Sequence, residues 1–214
     1  RPLAIPWAAE NIPAIVEAWQ LGTQSGNAIA QVLYGDYNPS GKLPMTFPRN
    51  VGQLPLYYNH KNTGRPSMNE PESVFWSHYI DEKMTPLYPF GYGLSYSKFE
   101  YSDLQLSSPS FSQAGSINAT VKIKNTGKVV GKEVVQLYIR DLIGSITRPV
   151  KELKGFEMIQ LQPNESKTVT FIIDQNTIQY YTANSKWEAE VGDFKVFIGG
   201  NSATTLESNF QYTN

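Results

Sequence analysis

From Phe99 onward, apolar and polar residues alternate with a period of two. Ile117, Ala119, Val121 and Ile123 interleave with Asn118, Thr120, Lys122 and Lys124. The same beat returns at Val135, Leu137 and Ile139, at Val169, Phe171 and Ile173, and at Phe194, Val196 and Ile198. Successive side chains of an extended strand point to opposite faces, so each run predicts a strand with one buried and one wetted side. Asn125-Thr126-Gly127, Pro163-Asn164 and Val191-Gly192-Asp193 separate the runs with turn residues. About seven strands over roughly 115 residues predict an antiparallel β-sandwich.

The first part of the chain has a different pattern. Leu3-Ala4-Ile5 is a short apolar run stopped by Pro6, and Trp7 to Asn11 suits one helical turn. Ala14-Ile15-Val16-Glu17-Ala18-Trp19 predicts a buried strand that Gly22 ends. Thr23 or Ser25 can cap a helix running through Asn27 to Tyr34, with Ala28, Ile29, Val32 and Leu33 on one face and Gly35 closing it. Elements this short and this mixed mark α/β structure, yet about 50 residues cannot cover both faces of a sheet. The expectation is the tail of an α/β domain, with apolar Ile15, Val16, Ile29 and Val32 left exposed. Between 51 and 95 the chain is irregular but holds eight aromatic residues, Tyr57, Tyr58, Phe75, Trp76 and Tyr79 among them. Disordered segments are poor in aromatics, so an ordered loop is expected.

Composition narrows the function classes. Among 214 residues, charged side chains make up only 17% and the net charge is -1. A cut at Ser95 leaves six basic and seven acidic residues before it and twelve of each after it. Neither half offers a basic field for nucleic acid or an anionic membrane. No apolar run approaches the roughly 20 residues of a membrane helix. There is no cysteine, which excludes disulfides and thiolate metal sites. The chain opens on Arg1-Pro2-Leu3 with no initiator Met and no signal peptide, as expected of a segment cut from a longer protein.

The candidate chemistry is sparse. Asp81 and Glu82 are neighbours, which in an extended segment point apart. Glu70 and Glu72 flank Pro71 in a polar loop, Glu10 sits near a short helix, and Asp36 suits an Asx-type turn. His60 and His78 are the only histidines, with no metal-ligand spacing between them. Neither a nucleophile elbow nor a dinucleotide or phosphate loop is present. Asn118-Ala119-Thr120 and Asn164-Glu165-Ser166 fit glycosylation sequons by chance on an exposed strand and turn. No catalytic residue, cofactor or metal site is assigned. Sugar rings stack on aromatic faces and bond at their edges, so the loop from Tyr57 to Tyr79 offers Arg65 and Trp76 as substrate-binding candidates, with Tyr57 and Tyr58 beside them. Tyr138, Tyr180, Tyr181 and Trp187 form either an exposed aromatic cluster or a core cap. The exposed arrangement would suit a glycan- or protein-binding module, the alternative to a structural part of an enzyme.

Several motifs occur in a fixed order. Trp19 to Ala28 is followed by Gly35-Asp36-Tyr37-Asn38-Pro39-Ser40-Gly41-Lys42-Leu43-Pro44 and Thr46-Phe47-Pro48, then by Gln53-Leu54-Pro55, Tyr57-Tyr58 and Asn62-Thr63-Gly64-Arg65-Pro66. Pro89-Phe90-Gly91-Tyr92-Gly93-Leu94-Ser95-Tyr96 comes next, and then Val134-Val135-Gln136-Leu137-Tyr138, the run Arg148 to Phe156 and the run Gly192 to Gly199. Over nearly the whole chain these resemble the C-terminal part of glycoside hydrolase family 3, most closely its bacterial periplasmic β-glucosidases. Gln24 and Ser25 depart from the family's frequent Glu and Gly. The resemblance implies a mainly β fold: a fibronectin type III-like antiparallel β-sandwich at 98–214, preceded by the C-terminal tail of an α/β sandwich domain at 1–60 and an aromatic-rich linker at 61–97. It implies a parent enzyme that hydrolyses terminal β-D-glucosyl or related residues with retention and without a cofactor, in the periplasm or secreted. Its catalytic carboxyl groups would lie on upstream barrel and α/β domains of the same polypeptide. This segment would be structural, inactive alone, and open to homodimer formation.

Overall fold

The computed structural model describes residues 1–62, 64–65, 75 and 77–214. Its body is a two-sheet sandwich. One sheet has the order β1-β3-β6, formed by Phe99–Leu106, Ser116–Asn125 and Ser166–Asp174. The other has the order β2-β10-β9-β4-β5, from Ser110–Ser112, Glu207–Thr213, Gly192–Gly199, Gly131–Asp141 and Glu152–Leu161. A two-residue hairpin, β7 (Tyr180–Tyr181) with β8 (Trp187–Glu188), stands apart. The alternating runs carry the core as expected. Ile117, Ala119, Val121 and Ile123 of β3 are all buried while their neighbours face water, and Phe194, Val196 and Ile198 meet them from the other sheet. Phe111, Phe194 and Phe210 stack through the middle at 5.3–6.0 Å.

Two features depart from the alternation. The terminal strand β10 runs parallel to β2, with Gln211 opposite Ser110, so the sandwich is not wholly antiparallel. In β4, every residue from Val135 to Ile139 is buried. Gln136 and Tyr138 stand on the outer face of their sheet and would be wet in an isolated sandwich. Another part of the chain must therefore cover them.

The expected turn at Asn125-Thr126-Gly127 has a role beyond reversing the chain. Asn125 is fully buried, donates to the carbonyls of Val129 and Leu161, and accepts from the Gly127 N–H at 2.9 Å. Buried amides need such partners, and here one side chain ties two loops together.

Among the described residues before Phe99 the regular elements are α1 (Pro6–Asn11), α2 (Ser25–Tyr34) and one 3₁₀ turn at Val51–Gln53. Gly35 ends α2 at φ 83°, and the Tyr37 N–H reaches back to the Gln31 carbonyl. Three expectations are corrected. Residues 14–19 form no strand, because a strand exists only through pairing and none lies beside them. Neither Thr23 nor Ser25 caps α2; Gln24 takes the N-cap position and accepts from Asn27 through its side chain. Asp36 is exposed and makes no Asx bond, since the backbone closes that turn by itself. Ile15, Val16 and Ile29 are exposed as expected, and Val32 is half-buried.

Candidate functional site

The cover over β4 is the segment that joins the two halves of the chain. Residues 43–47 and 87–92 lie against each other through backbone bonds. The Leu43 N–H donates to Tyr92 O, Gly91 N–H to Leu43 O, Phe47 N–H to Tyr88 O and Leu87 N–H to Phe47 O, at 2.8–2.9 Å. Phe47 is 3% exposed beneath Trp19 and Tyr88, both edge-on to it, and Tyr88 stacks on Tyr92 at 5.2 Å. Next to this ladder, Tyr58 stacks on Phe90 at 4.3 Å, meets the Tyr138 ring edge-on and accepts the Leu153 N–H through its hydroxyl. The aromatic loop thus seals the outer face of the five-stranded sheet.

Three polar locks fix the seal. Gln136 donates to the carbonyls of Gly91 and Gly200, and its own carbonyl accepts the Tyr138 hydroxyl. Gly91 holds φ +79°, and a Cβ there would lie 2.2 Å from Gln136 Oε1, so glycine is required twice over. Asn38 bridges three segments, accepting from Ser95 Oγ and the Tyr96 N–H while donating to Val130 O, each at 2.8 Å. Lys42 reaches both carboxylate oxygens of Glu133, at 3.2 and 3.0 Å, and the Gly93 carbonyl at 3.1 Å. The Tyr101 hydroxyl donates to the same carboxylate at 2.8 Å. The Lys42 and Glu133 side chains are 13% and 6% exposed, so the pair is nearly dry. Burial, with the Glu133 carboxylate beside it, pushes the Tyr101 phenol far above its ordinary range. A cleft of about 670 Å³ opens along this junction, past Tyr92, Leu94 and Thr204.

Lys151 closes the far end of the same face. Its ammonium donates to Ser202 O and Thr204 O and sits 4.0 Å above the Phe197 ring. Burial lowers its pKa from 10.5 to about 8. The unfolded chain therefore holds that proton between about pH 8 and 10.5 while the folded chain does not, so this group adds stability as pH rises through the window. Thermal melts of wild type and Lys151→Met should accordingly diverge above pH 8, with wild type gaining. Parallel curves would contradict the assignment.

Sequence profiles locate this junction in a known architecture. The Glycosyl hydrolase family 3 C-terminal domain matches residues 1–96, and a Fibronectin type III-like domain matches 133–202. The periplasmic beta-glucosidase of Salmonella typhimurium is 52% identical over 99% of this chain, which spans 28% of that protein. The chain belongs to glycoside hydrolase family 3. Thermostable beta-glucosidase B of Acetivibrio thermocellus is 44% identical over 94% of this chain and is matched over 27% of its own length. A beta-glucosidase from Listeria innocua, solved in complex with glucose, superposes with a TM-score of 0.94 at 42% identity, over 100% of this chain and 30% of its own. The chain thus spans under a third of the family 3 relatives it matches.

Within that family frame, the residues singled out from sequence scatter. Arg65 is exposed, and its carbonyl accepts the Ser77 N–H. Trp76, Glu70 and Glu72 lie outside the described residues. Tyr57 is 63% exposed, whereas Tyr58 is committed to Phe90 and Tyr138 and is not free to stack on a sugar. Glu82 accepts its neighbour Lys83 N–H, Asp81 is exposed, and His60 is exposed on the loop. Among the described residues no group of three His, Cys, Asp or Glu is placed to hold a metal ion. Nor is any helix long and apolar enough to cross a membrane. The four-ring cluster is split: Tyr138 and Tyr180 are buried, while Tyr181 and Trp187 remain outside. Sequence reasoning quoted Asn38, Lys42 and Gln136 inside motifs but missed what they do. Gln136 stands where the alternation of β4 already expects a polar residue, so nothing local marks it as buried.

Proposed function

We propose that this chain is the C-terminal brace of a retaining β-glycosidase that removes terminal non-reducing β-D-glucosyl or related residues. The observation that carries this reading is the sealed junction. Asn38, Lys42 and Gln136 fasten the tail and the sandwich into one body, as a brace requires and a tethered module does not. The similarity to β-glucosidases over their C-terminal share supports the substrate class. Retaining hydrolysis uses two carboxyl groups about 5 Å apart and needs no cofactor. Upstream barrel and α/β domains of the same polypeptide would supply them, in the periplasm or secreted, and the assembled enzyme is open to a homodimer. The organisation is 1–60 as tail, 61–97 as connecting segment and 98–214 as sandwich.

The test pairs this chain with the region that precedes it in the Salmonella typhimurium relative. Hydrolysis of an aryl β-glucoside or aryl β-xyloside is expected from the pair and from neither part alone. Turnover by this chain alone would place a catalytic carboxylate here, with Asp36 and Asp81 the first to replace.

The loop bearing Arg65 and Trp76 would rim the substrate entrance of the assembled enzyme. Arg65→Ala and Trp76→Ala should each lower kcat/KM about tenfold, the worth of one lost charge-assisted bond or one stacked ring. Unchanged kcat/KM in both variants would remove the loop from the site.

A further inference from the structure

We propose that Tyr181 and Trp187 form a surface subsite for a glucosyl unit of a β-linked glucan. The proposal rests on the parent being a β-glycosidase. The two residues are direct cross-strand partners in the β7–β8 hairpin. Directly opposed residues share a face, so both rings point the same way, and Tyr180 and Glu188 point the other. The hidden face is anchored. Tyr180 is 3% exposed beneath the Arg148 guanidinium, 3.8 Å from its ring, with its hydroxyl 3.0 Å from Ser145 Oγ. Glu188 accepts the Thr182 hydroxyl at 3.0 Å, and Thr182 N–H closes the hairpin on Lys186 O.

The outer face is left open. Tyr181 is 54% and Trp187 65% exposed, with centroids 5.8 Å apart and planes at 67°. A β-linked glucose carries its hydroxyls equatorially, leaving C–H faces for a ring and polar edges for donors and acceptors. At the hairpin tip Asn184 and Ser185 are exposed, and their side chains make no hydrogen bond among the described residues. Because the hairpin is pinned from behind, a bound sugar would not have to order it, which removes one of the usual costs of association. Two rings are too small for a protein partner, which needs roughly 800 Å² on each side. The larger cleft at the junction is a poorer candidate, since Lys42, Glu133 and Tyr101 already satisfy one another.

Electrophoresis of the chain through gels containing laminarin, with dextran as the α-linked control, tests the site without any catalytic part. Retardation by laminarin alone is expected. Trp187→Ala and Tyr181→Ala should each weaken it about tenfold, the scale of one lost stacking contact, and Trp187→Phe should keep most of it. Thermal melts check that each variant folds; if Trp187→Ala does not, Tyr181→Ala carries the test. Absence of wild-type retardation, equal retardation by dextran, indifference to both alanine variants, or a Trp187-dependent dimer in sedimentation would each overturn the subsite. Hydrolysis by the Trp187→Ala chain paired with the upstream region reports on the bracing role alone. Loss of glucan retention with hydrolysis intact would therefore come from the subsite and not from the bracing role.

Discussion

Replacing Lys42 by alanine is expected to lower the thermal midpoint by about 10 °C, from a loss of roughly 3 kcal/mol. The reason is less the lost attraction than what remains. Glu133 is 4% exposed and would be left in a nearly dry site with the Tyr101 hydroxyl as its remaining partner among the described residues. Removing one partner of a buried pair costs more than the pair itself contributes, because the desolvation of the survivor is no longer offset. Lys42→Met with Glu133→Gln should therefore be less damaging than the two single changes summed, and a double-mutant cycle reads that difference directly. The damage should also be local. Hydrogen exchange at 38–44 and 89–96 should rise in Lys42→Ala while β3 and β9 stay protected. Uniform loss of protection would mean the junction is not a separate lock.

The second large effect is expected at Arg148. Its guanidinium lies 3.3 Å from Asp141 and 2.8 Å from Glu152, and covers the Tyr180 ring. The Asp141 contact is an ion pair by distance without an aligned hydrogen bond. Arg148→Ala should cost about 3–5 kcal/mol at neutral pH. Burial already holds the Asp141 carboxyl above its ordinary value, and Arg148 is the main group opposing that rise. Without the arginine the folded state would bind a proton there more readily than the unfolded state. Stability of the variant should then fall relative to wild type as pH rises from about 4, and the gap should close in acid. Paired denaturant melts at pH 4 and pH 7 check the sign; a gap that widens in acid would contradict it.

Much of the sandwich was legible because one physical rule governs it. A strand with one dry and one wet face must alternate, and β3 does so at every position from Ile117 to Asn125. The αL position of Gly35 was legible for a similar reason, since a helix end tolerates φ 83° most readily in glycine. The 14–19 segment was not. Its apolar run satisfies the strand pattern, but pairing is a property of neighbours in space, and none stands beside it. The division of the four aromatic residues was equally hidden, because Tyr180 and Tyr181 are chemically alike and only the hairpin's orientation sends one inward and the other outward.

The sequence by itself determined the alternating strands, the turns between them, the lack of thiol chemistry, and the ordered motifs of glycoside hydrolase family 3. Local sterics and the exclusion of apolar groups from water act on neighbouring residues, so their marks lie along the chain. Only the tertiary structure decided that Lys42 meets Glu133, that Asn38 meets Val130, and that Gln136 and Tyr138 are dry on a face expected to be wet. These contacts join residues up to 92 positions apart. No local propensity encodes such a pairing; it appears when residues 38–47, residues 87–96 and the five-stranded sheet bury one another's polar groups together.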